Sequence, residues 1–485
     1  MRSSLCCTTN TKTRLQACTI QTMRPGFLYF SIFTWLVCTG GRFTAPFLQH
    51  IAGFDDTLIG IIFAIQILLV SFLSSIGGIW ADKLELYYPE KGRIGCLALG
   101  TFLATISFEI HGIVQFLVKD DHMMSTALHI TARLMYASFS AILFPILDGI
   151  TLSYLKIHSR DASAYGQERL FGAVAWAIAS MLIGPILDSH GFDAFFWFAP
   201  VGEILCIITF LKYASDSLHF KVEMLEEVGV GETEMVENAT EDIPCSIEDS
   251  FKEEPNPTQD TNSLTILRSM ISTFAACGFI ISALTLNMGT SVVESLIFLY
   301  FETLGGTNAI CGLTVVVTVL FEIPIFHYAP QLLAYFGADN MQKIACFAYI
   351  IRVIGYTFVP QNQMALVLLF EPLHGVTYAC SKTSAVEFAA RITPDGYEAS
   401  GQGLLSMILG FGSVAGVFFG GWMEENLGPK ILYRSYAGIV AIGLASFYIA
   451  LSHDRRVQKI SYKHLPQKQS SIDAHDGIDQ QHVIL

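Results

Sequence analysis

Apolar stretches about 20 residues long recur along the chain, separated by shorter polar segments. This is the length that an α-helix needs to cross a hydrocarbon core about 30 Å thick. The pattern therefore predicts an all-α polytopic membrane protein with twelve spans. The predicted spans lie near residues 26–48, 57–80, 94–117, 126–155, 168–188, 192–213, 270–301, 309–335, 341–359, 364–391, 397–423 and 430–452.

A polar, strongly acidic segment divides the spans six and six. Between Glu223 and Glu254 it carries twelve acidic residues and one lysine. Such a segment cannot bury enough apolar surface to form a core, so it predicts a disordered linker. The predicted domains are an N-terminal tail at 1–25, a six-helix bundle at 26–213, the linker at 214–263, a second six-helix bundle at 264–452 and a C-terminal tail at 453–485.

Composition supports the membrane assignment. Mean hydropathy is +0.50 and only 14% of residues are charged, against about a quarter in soluble domains. The net charge of −14 arises mainly in the linker, so it does not indicate that the folded body binds a basic partner. The eleven cysteines show neither CxxC nor zinc-ligand spacing. We expect no disulfide framework, no metal site and no cofactor.

Basic residues in the short loops predict the orientation, because Lys and Arg accumulate on the cytoplasmic side of a membrane. They follow even-numbered spans, whereas loops after odd-numbered spans carry few, with Lys119 and Lys430 as exceptions. Both termini are therefore predicted to be cytoplasmic. The basic residues after even-numbered spans are Lys83, Lys91, Arg93, Lys156, Arg160, Lys343, Arg391, Arg455, Arg456, Lys459, Lys463 and Lys468.

The two halves show faint internal similarity. The run Pro145–Thr151 in the fourth span can be aligned with Pro372–Thr377 in the tenth, with one gap. Gly166-Gln167 before the fifth span matches Gly401-Gln402 before the eleventh. Matches at equivalent spans are expected of a transporter built from parallel repeats around a central site.

The tenth span carries an unusual set of polar residues. Glu371, His374, Tyr378 and Lys382 are spaced three, four and four apart, which places them along one helical face. An ionisable group at the bilayer centre costs roughly 2.5 to 3.5 kcal/mol even on lenient insertion scales. We therefore expect this face to line a solute pathway.

Further charges lie inside other spans. Glu322 and His374 fall near the midplane, where we hypothesise that they couple proton movement to solute movement. The alternative is a static pair that only fixes packing. Arg352, on the ninth span, is expected to pair structurally. Of the other predicted pathway residues, Arg42 and Arg133 lie toward the outer half of the membrane, and Asp148 and Lys382 lie toward the inner half.

A short motif stands between the second and third spans. Gly78, Asp82 and Lys83 lie within the run Gly77–Lys83, and here the chain resembles the major facilitator superfamily, whose signature in this loop is Gly-x-x-x-Asp-Arg/Lys. The resemblance implies that the glycine permits close packing and that the acid anchors a gating charge network. The basic residues that follow in the family are displaced by an insertion at 84–90, which leaves the second part of that network undefined.

A narrower resemblance covers most of the transmembrane portion. It is carried by the runs Pro145–Asp148, Tyr165–Gly172, Phe321–Pro324 and Leu373–Thr377, which are similar to the branch of the superfamily related to lactose permease and phenylpropionate permease. The resemblance implies the major facilitator fold, with twelve helices in two six-helix bundles. It does not identify the substrate, because one fold hosts many activities.

Glycines at every fourth position predict close helix packing in the eleventh span, at Gly412, Gly416 and Gly420. In the seventh span, Asn287 and Gly289 are expected to interrupt the helix. No Walker loop, HExxH motif or nucleophile elbow occurs in the sequence, so an enzyme or a nucleotide-driven pump is not expected.

We therefore expect a secondary active transporter that works by alternating access and is coupled to protons. Its expected partners are a small organic solute, protons and the lipid bilayer, with no nucleic acid, and the protein is expected to be a monomer. Two alternatives remain open. One is a transporter-like receptor or adaptor that moves no solute, and the other is a passive channel.

Overall fold

The computed structural model describes residues 23–88, 91–118, 121–158, 165–227, 268, 271–393 and 398–463. The secondary structure of these residues is α-helical, with short 3₁₀ segments. Most of the predicted N-terminal tail, the linker residues 228–263, Lys119, Arg160 and the C-terminal residues from 464 lie outside the described residues.

The first half of the chain forms eight helices that account for the first six predicted spans. The first span is broken near Gly40, whose φ of 112° is a conformation that favours glycine. The fourth is broken just before Pro145, which has no backbone N–H to continue the helix. The helices are α1 Gly26–Cys38, α2 Thr44–Ala52, α3 Asp56–Tyr87, α4 Gly92–Leu117, α5 His122–Ser140, α6 Leu143–Ile157, α7 Tyr165–His190 and α8 Phe195–Glu227.

The second half forms seven helices that account for the other six predicted spans. A 3₁₀ segment, Met364–Leu369, leads into the tenth span, and the short helix α11 follows the eighth. The helices are α9 Phe274–Thr303, α10 Asn308–His327, α11 Ala329–Phe336, α12 Ala338–Tyr356, α13 Pro372–Ile392, α14 Glu398–Leu427 and α15 Pro429–Lys463.

Two local predictions are wrong. Helix α9 runs without interruption through Asn287 and Gly289, because the Asn287 amide donates to Leu409 O at 2.7 Å on α14 and leaves the helical backbone intact. Helix α8 continues to Glu227, past the predicted start of the linker at 214. Residues 214–227 contain Leu, Met, Lys and Glu, which favour helix even without a membrane around them.

Nine helical stretches within the described residues are long and apolar enough to cross a membrane. The three predicted spans outside this set are the first, which is broken, and the ninth and tenth. Helices α12 and α13 each carry three charged side chains, which lowers their hydropathy. The predicted all-α polytopic fold is confirmed.

The two halves meet along two helix pairs, α3 with α14 and α7 with α10. Glycines make the contact close at one end. A Cβ added to Gly60 would lie 2.8 Å from Val417 O and 2.9 Å from the Cα of Gly421. Likewise, a Cβ on Gly312 would collide with the backbone of Ser180. We call this end, where α2 meets α3 and α14 meets α15, the closed end.

The helix pairs separate toward the opposite end, where α1 begins. At Gly410, farther along α14, the nearest atom to an added Cβ is Ser71 Oγ at 3.8 Å. At the closed end, by contrast, Asp188 accepts hydrogen bonds from the backbone N–H groups of Asn308 at 2.7 Å and Ala309 at 2.9 Å. The space between the halves, which we call the chamber, therefore widens toward this opposite end, which we call the open end.

Within the second half, the glycine row of α14 lies against α9. The partners on α9 also recur every fourth residue, so the two helices stay in register over about two turns. An added Cβ would meet α9 atoms closely at each position. The contacts join Gly412 to Leu284, Gly416 to Met288 and Gly420 to Val292.

Replacing Gly416 by leucine is expected to lower the free energy of unfolding by roughly 1 to 3 kcal/mol, because the side chain would be forced into the backbone of Met288. Gly438→Leu is the matched control, since an added Cβ there meets nothing within 4 Å. Thermal unfolding in detergent measures both. Equal midpoints for the two variants would contradict the packing argument.

Candidate functional site

Charged and aromatic side chains from both halves face the space between them. Arg169, an exposed residue near the start of α7, is an electrostatic neighbour of Glu322 on α10 and Tyr378 on α13. Glu294, which is exposed on α9, neighbours the same two side chains. We call Arg169, Glu294, Glu322 and Tyr378 the chamber cluster. It brings one cation, two carboxylates and a phenol to a single region.

Asp148 holds one side of this region in place. Its Oδ1 accepts hydrogen bonds from the hydroxyls of Tyr29 at 2.5 Å and Tyr165 at 2.6 Å. Arg169 in turn donates to the Tyr165 hydroxyl at 3.3 Å. Because α1, α6 and α7 each supply a member, this network fixes Arg169 to three helices of the first half.

Close packing of α10 on α13 positions the two members of the chamber cluster on these helices, Glu322 and Tyr378. A Cβ added to Gly375 would lie 2.5 Å from Thr318 O and 2.7 Å from Glu322 N. Only glycine lets the helices approach this closely, and the approach sets Glu322 beside Tyr378, one turn after Gly375. Lys382 is exposed one turn further along, with its ammonium 5.6 Å from the centre of the Tyr378 ring.

Glu371 and His374 lie in a different environment. Glu371 is 2% exposed and accepts hydrogen bonds from the Tyr356 hydroxyl at 2.6 Å and the Thr318 hydroxyl at 2.9 Å. His374 Nδ1 lies 3.6 Å from Glu371 Oε2. Arg352 is fully buried beside them, over the ring of Tyr356 at 5.9 Å. We call Arg352, Tyr356, Glu371 and His374 the buried cluster.

The predicted polar face of the tenth span is therefore divided. Glu371 immediately precedes the first helical residue, Pro372, and has right-handed helical backbone angles. Glu371 and His374 are buried within the second half, whereas Tyr378 neighbours Glu322 and Glu294, and Lys382 is exposed. The charged neighbours of Glu322, which the sequence analysis grouped with His374 in proton coupling, are Glu294 and Arg169.

Arg42 joins the two halves near the closed end. It donates to Val293 O on α9 at 3.3 Å, and its guanidinium lies 5.1 Å from the centre of the Phe298 ring. It is also an electrostatic neighbour of Glu371 and His374. Its position follows from the break in the first span, which turns the 3₁₀ segment Gly41–Phe43 toward α9.

Arg133 is separate from the chamber cluster. It is 5% exposed, donates to Gln66 Oε1 at 3.1 Å and lies over the Tyr136 ring at 4.6 Å. A buried histidine pair, His111 and His129, with Nδ1 atoms 2.7 Å apart, lies nearby. These contacts are within the first half, so the geometry gives Arg133 a structural environment.

The loop motif contains an ion pair between Asp82 and Arg93. Asp82 accepts two hydrogen bonds from the Arg93 guanidinium, at 3.0 and 2.8 Å, so a basic residue beyond the insertion pairs with the acidic residue of the motif. Lys83 is exposed. The glycine in close contact is Gly77, where an added Cβ would collide with Ile142, while one on Gly78 would meet Pro145 at an ordinary 3.6 Å.

Sequence reasoning did not identify three residues of this region: Tyr29, Arg169 and Glu294. Arg169 is the second residue of the predicted fifth span, where a basic residue resembles a loop flank. Glu294 is an acid within a run of apolar residues, which is a usable signal for a pathway residue. Among the described residues, no group of three or more His, Cys, Asp or Glu side chains could hold a metal ion.

Comparisons with known proteins agree with this architecture. The MFS_1 like family matches residues 26–435. Major facilitator superfamily domain-containing protein 6-like protein A of Xenopus laevis is 23% identical over 194 residues, which are 39% of this chain and 31% of that protein. The chain thus covers about a third of the length of this curated relative.

Solved transporters share the fold. The nucleoside transporter NupG is 15% identical with a TM-score of 0.63, covering 91% of this chain and 99% of NupG. A D-xylose-proton symporter gives 14% identity and a TM-score of 0.58, with 88% and 95% coverage. A POT family transporter in complex with 5-aminolevulinic acid is 13% identical with a TM-score of 0.55, covering 89% of this chain and 95% of that transporter. This multi-pass membrane protein belongs to the MFS_1 like family and has the major facilitator fold, as the sequence resemblance implied.

Proposed function

We propose that the protein is a secondary active transporter that moves a small organic solute by alternating access and couples this movement to protons. The observation that carries the proposal is the chamber cluster. Ionisable side chains of both halves face a space that is sealed at one end and widens toward the other. Charged side chains within a membrane are costly, so we expect a membrane protein that keeps them between two halves to use them for a solute or ion path.

The contacts at the closed end allow the two halves to rock. They are made by glycines and by a few hydrogen bonds at helix ends, such as those of Asp188. Breaking them while bringing the open-end helices together would expose the chamber cluster to the other side. On the predicted orientation, the structure corresponds to the state open to the cytoplasm.

The side chains around the chamber favour a polar organic solute. Arg169 offers a planar donor for a carboxylate or phosphate, and Glu294 and Glu322 offer acceptors for amines or hydroxyls. Tyr378, which is partly exposed, adds aromatic surface. Two structural neighbours, a nucleoside transporter and a D-xylose-proton symporter, support a small solute and, in the second case, a proton.

Reconstitution of the purified chain in liposomes tests this proposal. With a pH gradient imposed, we expect uptake of at least one solute from a mixed metabolite panel, and we expect Arg169→Gln to reduce that uptake by at least about tenfold, since it removes the chamber's charged donor. Lys212→Gln, at an exposed site on α8, is the control.

Uptake by the chain alone would exclude an adaptor, which needs a partner to act. A passive channel would equilibrate the solute without accumulating it. Absence of uptake across the panel, together with the same behaviour in both variants, would contradict the transporter proposal.

A further inference from the structure

Carboxylates from both halves meet at the closed end. The backbone N–H of Asp56, at the start of α3, donates to Glu425 Oε2 on α14 at 3.1 Å. Glu424 and Glu302 are electrostatic neighbours within the same group. We call Asp56, Glu302, Glu424 and Glu425 the acidic seam. It lies against the close contact of Gly60 with α14 that seals the chamber.

Glu424 is the member of the acidic seam whose burial is least offset by hydrogen bonds. It is 5% exposed, and its Oε2 is buried without a hydrogen-bond partner in the described structure. Its electrostatic neighbours are the carboxylates of Asp56 and Glu425 and the phenol of Tyr433. An ionised carboxylate in this position would be a buried charge beside two like charges, which is strongly unfavourable.

The basic groups described around the seam do not pair with Glu424. His50 pairs with Glu302 at 3.3 Å. Arg434 on α15 donates to Thr357 Oγ1 at 3.1 Å and lies over the Phe358 ring, and Lys430 is exposed.

Among the residues that the structure describes, the other charged and polar groups at this end supply no cation to Glu424. Asp55 caps α3 through the N–H of Leu58, and Gln49 donates to Asp56 at 3.2 Å.

We propose that the acidic seam is a proton-binding site, that Glu424 holds the proton while the closed end is shut, and that loss of this proton favours opening. The site is separate from the chamber cluster, and the inference rests on the alternating-access function proposed above. When the halves separate, Glu424 becomes hydrated and moves away from Asp56, so the ionised form no longer carries the cost that it has in the closed seam.

The sign of the pH effect follows from linkage. If the closed form binds one proton more than the open form at the seam, rising pH favours the open form. The equilibrium constant for opening then changes by up to about tenfold per pH unit. On the predicted orientation the closed end faces outside, so external protons would hold the transporter in the state open to the cytoplasm.

Hydrogen–deuterium exchange on the intact protein in lipid nanodiscs tests the site without any solute. Wild type and Glu424→Gln are compared at the same pH, which cancels the intrinsic exchange chemistry. Near pH 5.5 we expect equal exchange in peptides spanning 53–64 and 417–428. Near pH 8 we expect wild-type seam peptides to exchange at least about threefold faster, because only the wild type can lose the proton.

Two further variants keep the test decisive. Asp56→Asn retains an acceptor for Gln49 and removes one neighbouring charge. Like Glu424→Gln, it should therefore reduce the change in exchange of the seam peptides between pH 5.5 and pH 8. Glu387→Gln, an exposed site on α13, should behave as wild type throughout.

A ratio of wild-type to Glu424→Gln exchange that does not change with pH would overturn the seam proposal, as would faster exchange in Glu424→Gln. A pH-dependent ratio in a protein that takes up no solute would instead support the seam and contradict the transport function.

Discussion

Replacing Glu322 by glutamine is expected to abolish proton-driven accumulation of the solute while preserving exchange of solute across the membrane. Glu322 is the carboxylate on α10 that neighbours both Glu294 and Arg169, and it lies where the two halves face each other. Glutamine keeps the size and hydrogen-bonding capacity of the side chain but cannot bind and release a proton. The solute site would remain, and its link to the proton gradient would be lost.

The measurement uses liposomes with an imposed gradient. One pH unit corresponds to about 1.4 kcal/mol, so a carrier that moves one proton with each neutral solute can accumulate it up to about tenfold. For the wild type we expect accumulation approaching this limit. For Glu322→Gln we expect an internal concentration near the external one, with counterflow of labelled solute retained.

Glu387→Gln is the matched control, because it makes the same chemical change at an exposed site on α13 outside the chamber cluster. It should accumulate solute as the wild type does. If Glu322→Gln still accumulated solute in response to the gradient, the proton would have to be carried by another group, and Glu294 would be the next residue to replace.

Replacing Glu371 by leucine is expected to lower the free energy of unfolding by about 3 to 5 kcal/mol, since it leaves a buried arginine without its counter-charge. Arg352 is fully buried, and Glu371 is its carboxylate neighbour. The hydroxyls of Tyr356 and Thr318 would also lose their acceptor. Thermal unfolding in detergent, followed by loss of helical circular dichroism, measures the effect.

A double variant separates the charge from the packing. Arg352→Leu with Glu371→Leu removes both charges, so we expect it to be more stable than the sum of the two single effects predicts, by at least about 1 kcal/mol. Tyr356→Phe removes only the hydrogen bond to Glu371 and should cost about 1 kcal/mol. Additive single effects would show that Arg352 and Glu371 do not act as a pair.

The two predictions assign different roles to two sets of charges in the second half of the chain. The buried cluster holds α12 and α13 together from inside, and the chamber cluster faces the space between the halves. Losing a member of the first should mainly change stability, and losing a member of the second should mainly change transport. Measuring both quantities for Glu322→Gln and Glu371→Leu checks this division.

The sequence alone determined the properties that depend on local pattern. Apolar stretches of membrane length predicted the helices, because the bilayer requires a fixed length of apolar chain. The four-residue spacing of Gly412, Gly416 and Gly420 predicted a packing face, and the structure lays it against α9. The motif around Asp82 and the runs similar to known permeases indicated the superfamily, which the family match confirms.

Only the tertiary structure decided which charges meet. Helical spacing gives the face on which a side chain lies, but not the helix that packs against that face. His374 and Glu322 were grouped because both lie near mid-membrane, yet in the structure His374 lies beside Glu371, whereas the charged neighbours of Glu322 are Glu294 and Arg169. Arg169 and Glu294 lie in different halves of the chain and approach the same side chains, Glu322 and Tyr378. Helical periodicity relates only residues a few positions apart, so it could not predict this.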